Sequence, residues 1–154
     1  MSIDQRLQEL SIELPPAVQP LGSYCTAVQA GGLLFLSGHV PLRDGRMEYV
    51  GKLGRELTVE QGQAAARFTA INCLATIRAT LGSLDRVRRI VRLTGYVNSA
   101  AGFNQQPAVL NGASDLLGAV FGESGVHVRT AVGAAELPGD AAIKLELTVE
   151  VVAA

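Results

Sequence analysis

Apolar residues recur three or four apart from Ala64 through Phe68, Ile71, Leu74 and Ile77 to Leu81, the spacing of one helix face. Thr58-Val59-Glu60-Gln61 ahead of them is a capping box, and Gly82 behind them is a stop. Leu110, Ala113, Leu117 and Val120 repeat the pattern between Pro107, suited to a first helical turn, and Gly122. A third, short helix is predicted from the capping box Ser2-Ile3-Asp4-Gln5 to about Leu10, ended by extended chain at Leu14-Pro15-Pro16.

Elsewhere the period is two. Ile143, Leu145, Leu147, Val149 and Val151 alternate with Lys144, Glu146, Thr148 and Glu150, a half-buried strand over Ile143 to Val152. Arg89 to Val97 and His127 to Ala135 read as two more strands, the latter joined to the last by Leu137-Pro138-Gly139-Asp140. Tyr24 to Ala30 and Leu33 to His39 flank Gly31-Gly32, a hairpin pattern. Arg43 to Gly54 reads as loop with a brief extended piece at Met47 to Val50. The order β-β-α-β-α-β-β, with two long helices for one face of a sheet, predicts an α+β layer in one domain over residues 1–154, with 1–13 a helical extension.

The other face raises a question. Leu33-Leu34-Phe35-Leu36 is apolar on both sides, and a strand of that kind is covered on both. The surfaces on the Leu34 and Leu36 side are expected to lack cover within the chain, so another subunit is predicted to supply it.

Composition narrows the function. The net charge is −1 with 18% charged residues, too little positive charge for a phosphate-backbone binder, and aromatics are only 5% with no Trp, so no nucleic-acid partner is expected. No apolar run reaches membrane length, and Met1-Ser2-Ile3-Asp4-Gln5-Arg6 has no apolar signal core behind it, so a cytoplasmic protein without a membrane partner is expected. The cysteines, Cys25 and Cys73, are too few for a disulfide framework, lack zinc spacing and are read as reduced core or interface residues. His39 and His127 stand apart with no carboxylate at metal spacing, and no glycine-rich phosphate loop joins a strand to a helix. Neither metal nor cofactor is predicted.

Arg129 stands out. It lies mid-strand in a run otherwise small and apolar, where its charge needs a carboxylate. Either Glu146 on another strand supplies one, or a ligand does through a two-pronged hydrogen bond.

Leu21-Gly22-Ser23-Tyr24, Phe35-Leu36-Ser37-Gly38-His39-Val40-Pro41, Leu110-Asn111, Val128-Arg129-Thr130-Ala131-Val132 and Leu137-Pro138 occur in that order and spacing. With them the chain resembles the RidA/YjgF family of enamine/imine deaminases, also described as endoribonuclease L-PSP-like. The resemblance implies a chorismate-mutase-like fold and a homotrimer with clefts between subunits. It makes Arg129 the arginine that holds a substrate carboxylate, Tyr24 an aromatic lining the cleft, Gly38 the glycine whose backbone meets the ligand, and Asn111 a supporting asparagine. Lys144 stands where active deaminases carry a water-positioning glutamate. Glu146, two residues and about 7 Å along the same face, is the nearest carboxylate. His39 replaces the family's usual glutamine.

Two functions follow from the resemblance. One is hydrolysis of 2-enamino or 2-imino acids to keto acids and ammonia, with Glu146 or His39 placing the water. The other is a non-catalytic trimer that binds a small carboxylate-bearing metabolite, favoured by Lys144. Ribonuclease activity fits poorly with the low positive charge and the absence of a histidine pair.

Overall fold

The computed structural model describes residues 1–153. Helix α1 (Ile3–Glu9) starts at the expected capping box, with Ser2 and Gln5 exchanging side-chain and backbone hydrogen bonds. Strands β1 (Ala27–Ala30) and β2 (Leu33–Leu36) form a hairpin, turned by Gly31 at φ +59°, a left-handed conformation that glycine adopts without steric cost. A two-stranded ribbon follows, β3 (Leu42–Arg43) and β4 (Arg46–Met47), where the sequence indicated loop with an extended piece slightly later.

Helix α2 (Val59–Leu81) carries the second capping box, Thr58 with Gln61, and ends at Gly82. Then come β5 (Val87–Asn98), α3 (Gln106–Phe121), β6 (Val128–Ala134) and β7 (Ile143–Val151). The five-stranded sheet runs β1-β2-β7-β5-β6, with β5 and β6 parallel and the other neighbours antiparallel. Helices α2 and α3 cover one face, as the two apolar stripes require. They approach closely at Gly112, where any Cβ would overlap the Gln63 carbonyl group. Leu93, Leu110, Leu117, Ile143, Leu145 and Leu147 fill the space between helices and sheet.

Three expectations change. The strand predicted from Tyr24 begins only at Ala27, and the one predicted to reach His39 ends at Leu36. Past Leu36, Ser37 turns its amide to the Thr26 carbonyl, and His39 rejoins the sheet only through an isolated pairing with Leu145. The third concerns the uncovered face. Leu34 and Leu36 point into the helix layer and are 0% and 5% exposed. It is Phe35, between them, that faces outward at 44%.

Phe35 belongs to a cross-strand row, Val28–Phe35–Thr148–Arg92–Val128, on the face without helices. Val28, Phe35, Val128 and, two rows along, Val132 leave that face partly apolar. Helix α1 does not cover it. Arg6 Nε donates to the Ala119 carbonyl at 2.8 Å and the Ile3 amide donates to Asp85 Oδ1 at 2.8 Å, which docks α1 on the helix side.

Candidate functional site

Strand alternation decides where the candidate side chains point. On β6, Arg129 is paired with Leu93 of β5, which pairs with Leu147 of β7, so Arg129 faces the helix layer. There it meets α3. Arg129 Nη1 donates to Asn111 Oδ1 at 2.8 Å and to Ser114 Oγ at 3.3 Å. Asn111 and Ser114 lie three apart on the helix and so share a side.

The arrangement continues one residue further. His127 Nδ1 lies 2.6 Å from the Gly125 carbonyl, which can only accept, so Nδ1 carries the proton. In the neutral ring His127 Nε2 is then an acceptor, and Ser114 Oγ donates to it at 3.0 Å. The Ser114 hydroxyl proton is thereby committed to His127, and its oxygen lone pairs face Arg129. A shallow cavity of about 280 Å³ opens beside Arg129, His127 and Gly118. Among the described residues no carboxylate pairs with the Arg129 guanidinium.

Glu146 does not supply that carboxylate, contrary to one of the two expectations for Arg129. The alternation that turns Arg129 to the helices turns Glu146 to the open face, opposite Thr94. Its neighbour there is the Tyr96 hydroxyl, whose pKa is raised chiefly by hydrogen bonding to Glu146 and further by burial.

The remaining candidates gather elsewhere. Tyr24, Gly38, His39 and Lys144 line a cavity of about 270 Å³ at the β2–β7 side of the sheet. Lys144 belongs to the open face, opposite Tyr96, and its side chain lies across Gly38, filling the space a Cβ would occupy there. Tyr24 is half-exposed and its hydroxyl accepts the Leu21 amide at 3.3 Å. His39 is 3% exposed and fully engaged. Its Nδ1 donates to the Ser37 carbonyl at 2.7 Å, which leaves Nε2 to accept from Thr76 Oγ1 at 2.8 Å. Burial lowers its pKa, and the ring is held neutral.

One chain therefore carries two groups of candidates on opposite faces of its sheet: Arg129 with Asn111 toward the helices, and Lys144 with Gly38 and Tyr24 toward the open face. Sequence reasoning missed Ser114, and it weighed His127 only as a metal ligand. The spacing held the clue, since His127 and Arg129 are two apart on one strand, and Asn111 and Ser114 three apart on the facing helix.

Cys73 is fully buried and its thiol is pushed well above the ordinary value by desolvation, while Cys25 is exposed. Among the described residues no three His, Cys, Asp or Glu side chains gather as metal ligands, and no helix is long and apolar enough to cross a membrane.

Residues 4–151 match the YjgF/chorismate mutase-like endoribonuclease family, which spans every element of the fold. The chain belongs to the RidA/YjgF family. Within that family it is similar to protein TCP17 of Trypanosoma cruzi, with 47% identity over 94% of this chain and 91% of that protein. It is 30% identical to a 2-iminobutanoate/2-iminopropanoate deaminase of Dermatophagoides farinae, over 88% of this chain and 91% of the other. The crystal structure of Atu1372 from Agrobacterium tumefaciens, a protein described as of unknown function, superimposes with a TM-score of 0.90 at 40% identity. That match covers 97% of this chain and 92% of Atu1372. The RidA/YjgF match begins within α1, so the helical extension forms part of the matched region.

Proposed function

We propose that this RidA/YjgF protein binds the carboxylate of a 2-imino or 2-enamino acid at Arg129 and hydrolyses the C=N bond in a cleft between subunits of a homotrimer. The single observation that carries this reading is Arg129 itself. Its guanidinium is fixed by Asn111 and Ser114, and no carboxylate of the described residues neutralises it. A planar, pre-oriented guanidinium suits a carboxylate through two parallel hydrogen bonds.

The opposite placement of the two candidate groups supports the subunit cleft. Arg129 of one copy needs the Tyr24–Gly38–Lys144 group of another to complete a pocket, because its own lies across the sheet. The partly apolar open face around Phe35 is the surface that assembly would cover.

The reaction is simple enough for so sparse a site. An enamine tautomerises by taking a proton at carbon and becomes an iminium. Water adds to the C=N carbon, a proton passes to nitrogen, and the C–N bond breaks. One imino acid and one water give one keto acid and one ammonia. A bound carboxylate and one ordered water supply most of what is needed by proximity. In this reading Arg129 binds the carboxylate, Asn111 supports it and Tyr24 walls the cleft. Glu146, with its free acceptor lone pairs, orients the water. His39 then serves as scaffold, because both its ring nitrogens are already engaged.

A second reading, a non-catalytic binder of small carboxylates, is favoured by Lys144. Its ammonium stem covers Gly38, where a ligand would approach the backbone, and a charged lysine has no lone pair for the water. The test generates imino acids in place with an amino-acid oxidase and traps the remainder with semicarbazide. A drop in semicarbazone on adding the protein supports the deaminase. An unchanged yield, together with keto-acid binding that depends on Arg129, supports the binder.

A further inference from the structure

A further cavity lies on the outer side of α2, lined by neither Arg129 nor Lys144 and meeting the Lys144 cavity only at Leu42. It measures about 540 Å³, inside the range of small-molecule sites. Three parts of the chain enclose it: the strap Glu13-Leu14-Pro15-Pro16 that follows α1, the β3–β4 ribbon with Tyr49 behind it, and the outer side of α2 around Phe68.

Its walls are apolar and ordered. Tyr49 meets Phe68 edge-on, with ring centroids 5.9 Å apart. Arg43 lies over the Phe68 ring at 4.7 Å from its centroid, and its Nε is 3.8 Å from Glu48. Leu14 and Ile71 complete the apolar lining.

Two cations and two acceptors border this space. Arg67 is exposed at the rim and makes no ion pair among the described residues, and Arg43 is already held by its ring contact. Glu13 offers a carboxylate. The decisive group is Asn72, which is 2% exposed. Its Nδ2 donates to the Val40 and Leu42 carbonyls at 3.2 and 2.9 Å, which fixes the amide and its orientation. Its Oδ1 accepts no hydrogen bond from any described residue, yet it is not sealed from solvent-sized space. Asn72 lies where the cavity meets a second lobe of about 300 Å³ behind Pro15 and Pro16. Water reaches this oxygen in the free protein, and a ligand that displaces the water must donate to it in return.

From these groups we infer a second ligand site, for a small α-amino acid with an apolar side chain. The arginines suit its carboxylate, Asn72 Oδ1 and Glu13 suit its ammonium, and the Phe68–Ile71–Leu14 surface suits its side chain. A fatty acid would leave Asn72 Oδ1 unsatisfied, and an amine would leave the arginines without an anion. This site does not depend on the deaminase reading, because neither Arg129 nor Lys144 lines it.

The experiment titrates the full chain with L-leucine, 4-methylpentanoate and 3-methylbutylamine, by calorimetry and by NMR of the Tyr49 and Phe68 rings. L-leucine is expected to saturate and to shift those rings. The acid lacking the amine and the amine lacking the acid are each expected to bind at least about tenfold more weakly, one lost charge-assisted contact apiece. Arg67→Ala, on an exposed side chain that the fold does not need, is expected to weaken L-leucine by about tenfold. Arg129→Ala is expected to leave it unchanged. Absence of saturable ring shifts overturns the site. L-leucine binding lost in Arg129→Ala but kept in Arg67→Ala overturns it as well, since the ligand then sits at Arg129. Equal affinity for 4-methylpentanoate overturns the amino-acid assignment.

Discussion

Arg129 Nη1 and Asn111 Oδ1 are 2.8 Å apart, a bond between the sheet's edge strand and the helix packed beside it. It fixes the guanidinium plane without neutralising its charge, since an amide oxygen carries none. Arg129→Ala is expected to cost about 1.5–3 kcal/mol in keto-acid binding, roughly ten- to a hundredfold in affinity. Asn111→Leu keeps the cation but frees it to move, and about 1 kcal/mol is expected. Calorimetry with pyruvate on both folded variants checks the order. Equal affinity in wild type and Arg129→Ala would remove the arginine from the site.

Assembly is the next test. Phe35 presents 44% of its surface on the face that no helix covers. Light scattering is expected to give three times the 16.1 kDa of one chain. Phe35→Glu places a charge on that face, and burying it unpaired is costly enough to lower the mass toward a single chain. A wild type that already scatters as one chain would dismiss both the trimer and its clefts.

On the deaminase reading, Lys144→Glu exchanges a cation beside the reacting C=N group for an acceptor. A nearby positive charge disfavours the iminium that water attacks. The variant is expected to turn imino acids over faster than wild type, by about a hundredfold, the low end of what a well-placed acid or base contributes. The semicarbazide competition reads the rate. Turnover that survives Lys144→Ala and disappears in Glu146→Ala supports Glu146 as the residue that orients the water, and a Lys144→Glu rate no higher than wild type would dismiss the effect of the lysine.

His39 predicts a pH dependence of stability. Burial lowers its pKa in the folded state below the ordinary 6.5, so the unfolded chain binds the proton first as pH falls. Stability is complete above about pH 6.5 and is lost below it, until the folded-state pKa is passed. Urea midpoints at about pH 7.5 and about pH 5.5 should differ, and the difference should shrink in His39→Gln, which does not titrate. An undiminished difference in that variant would assign the effect to other groups.

Much of the fold was legible because it is written locally. Ser2 with Gln5, and Thr58 with Gln61, are capping boxes within four residues, and both begin helices where expected. The alternation from Ile143 to Val151 is complete in one strand. The Leu34-Phe35-Leu36 run shows where local reading stops. Three apolar residues in a row do not say which face the helices take, and the side taken to be bare proved to be the covered one. The surroundings of Arg129 were hidden for a different reason. Its partners lie 15 and 18 residues away on α3, and no periodicity in β6 points to them. Glu146 was the obvious carboxylate by composition, but alternation along the strands turns the two side chains to opposite faces.

That opposition has a genetic consequence. A chain that has lost Arg129 still owns an intact Tyr24–Lys144 face, and a chain that has lost Tyr24 still owns an intact arginine. Where clefts join the two faces of neighbouring copies, two inactive alleles can complement each other. Random co-assembly in equal amounts would rebuild about one junction in four from an undamaged half of each parent, as the pairing of unlike faces around a closed ring requires. Neither parent alone would rebuild any.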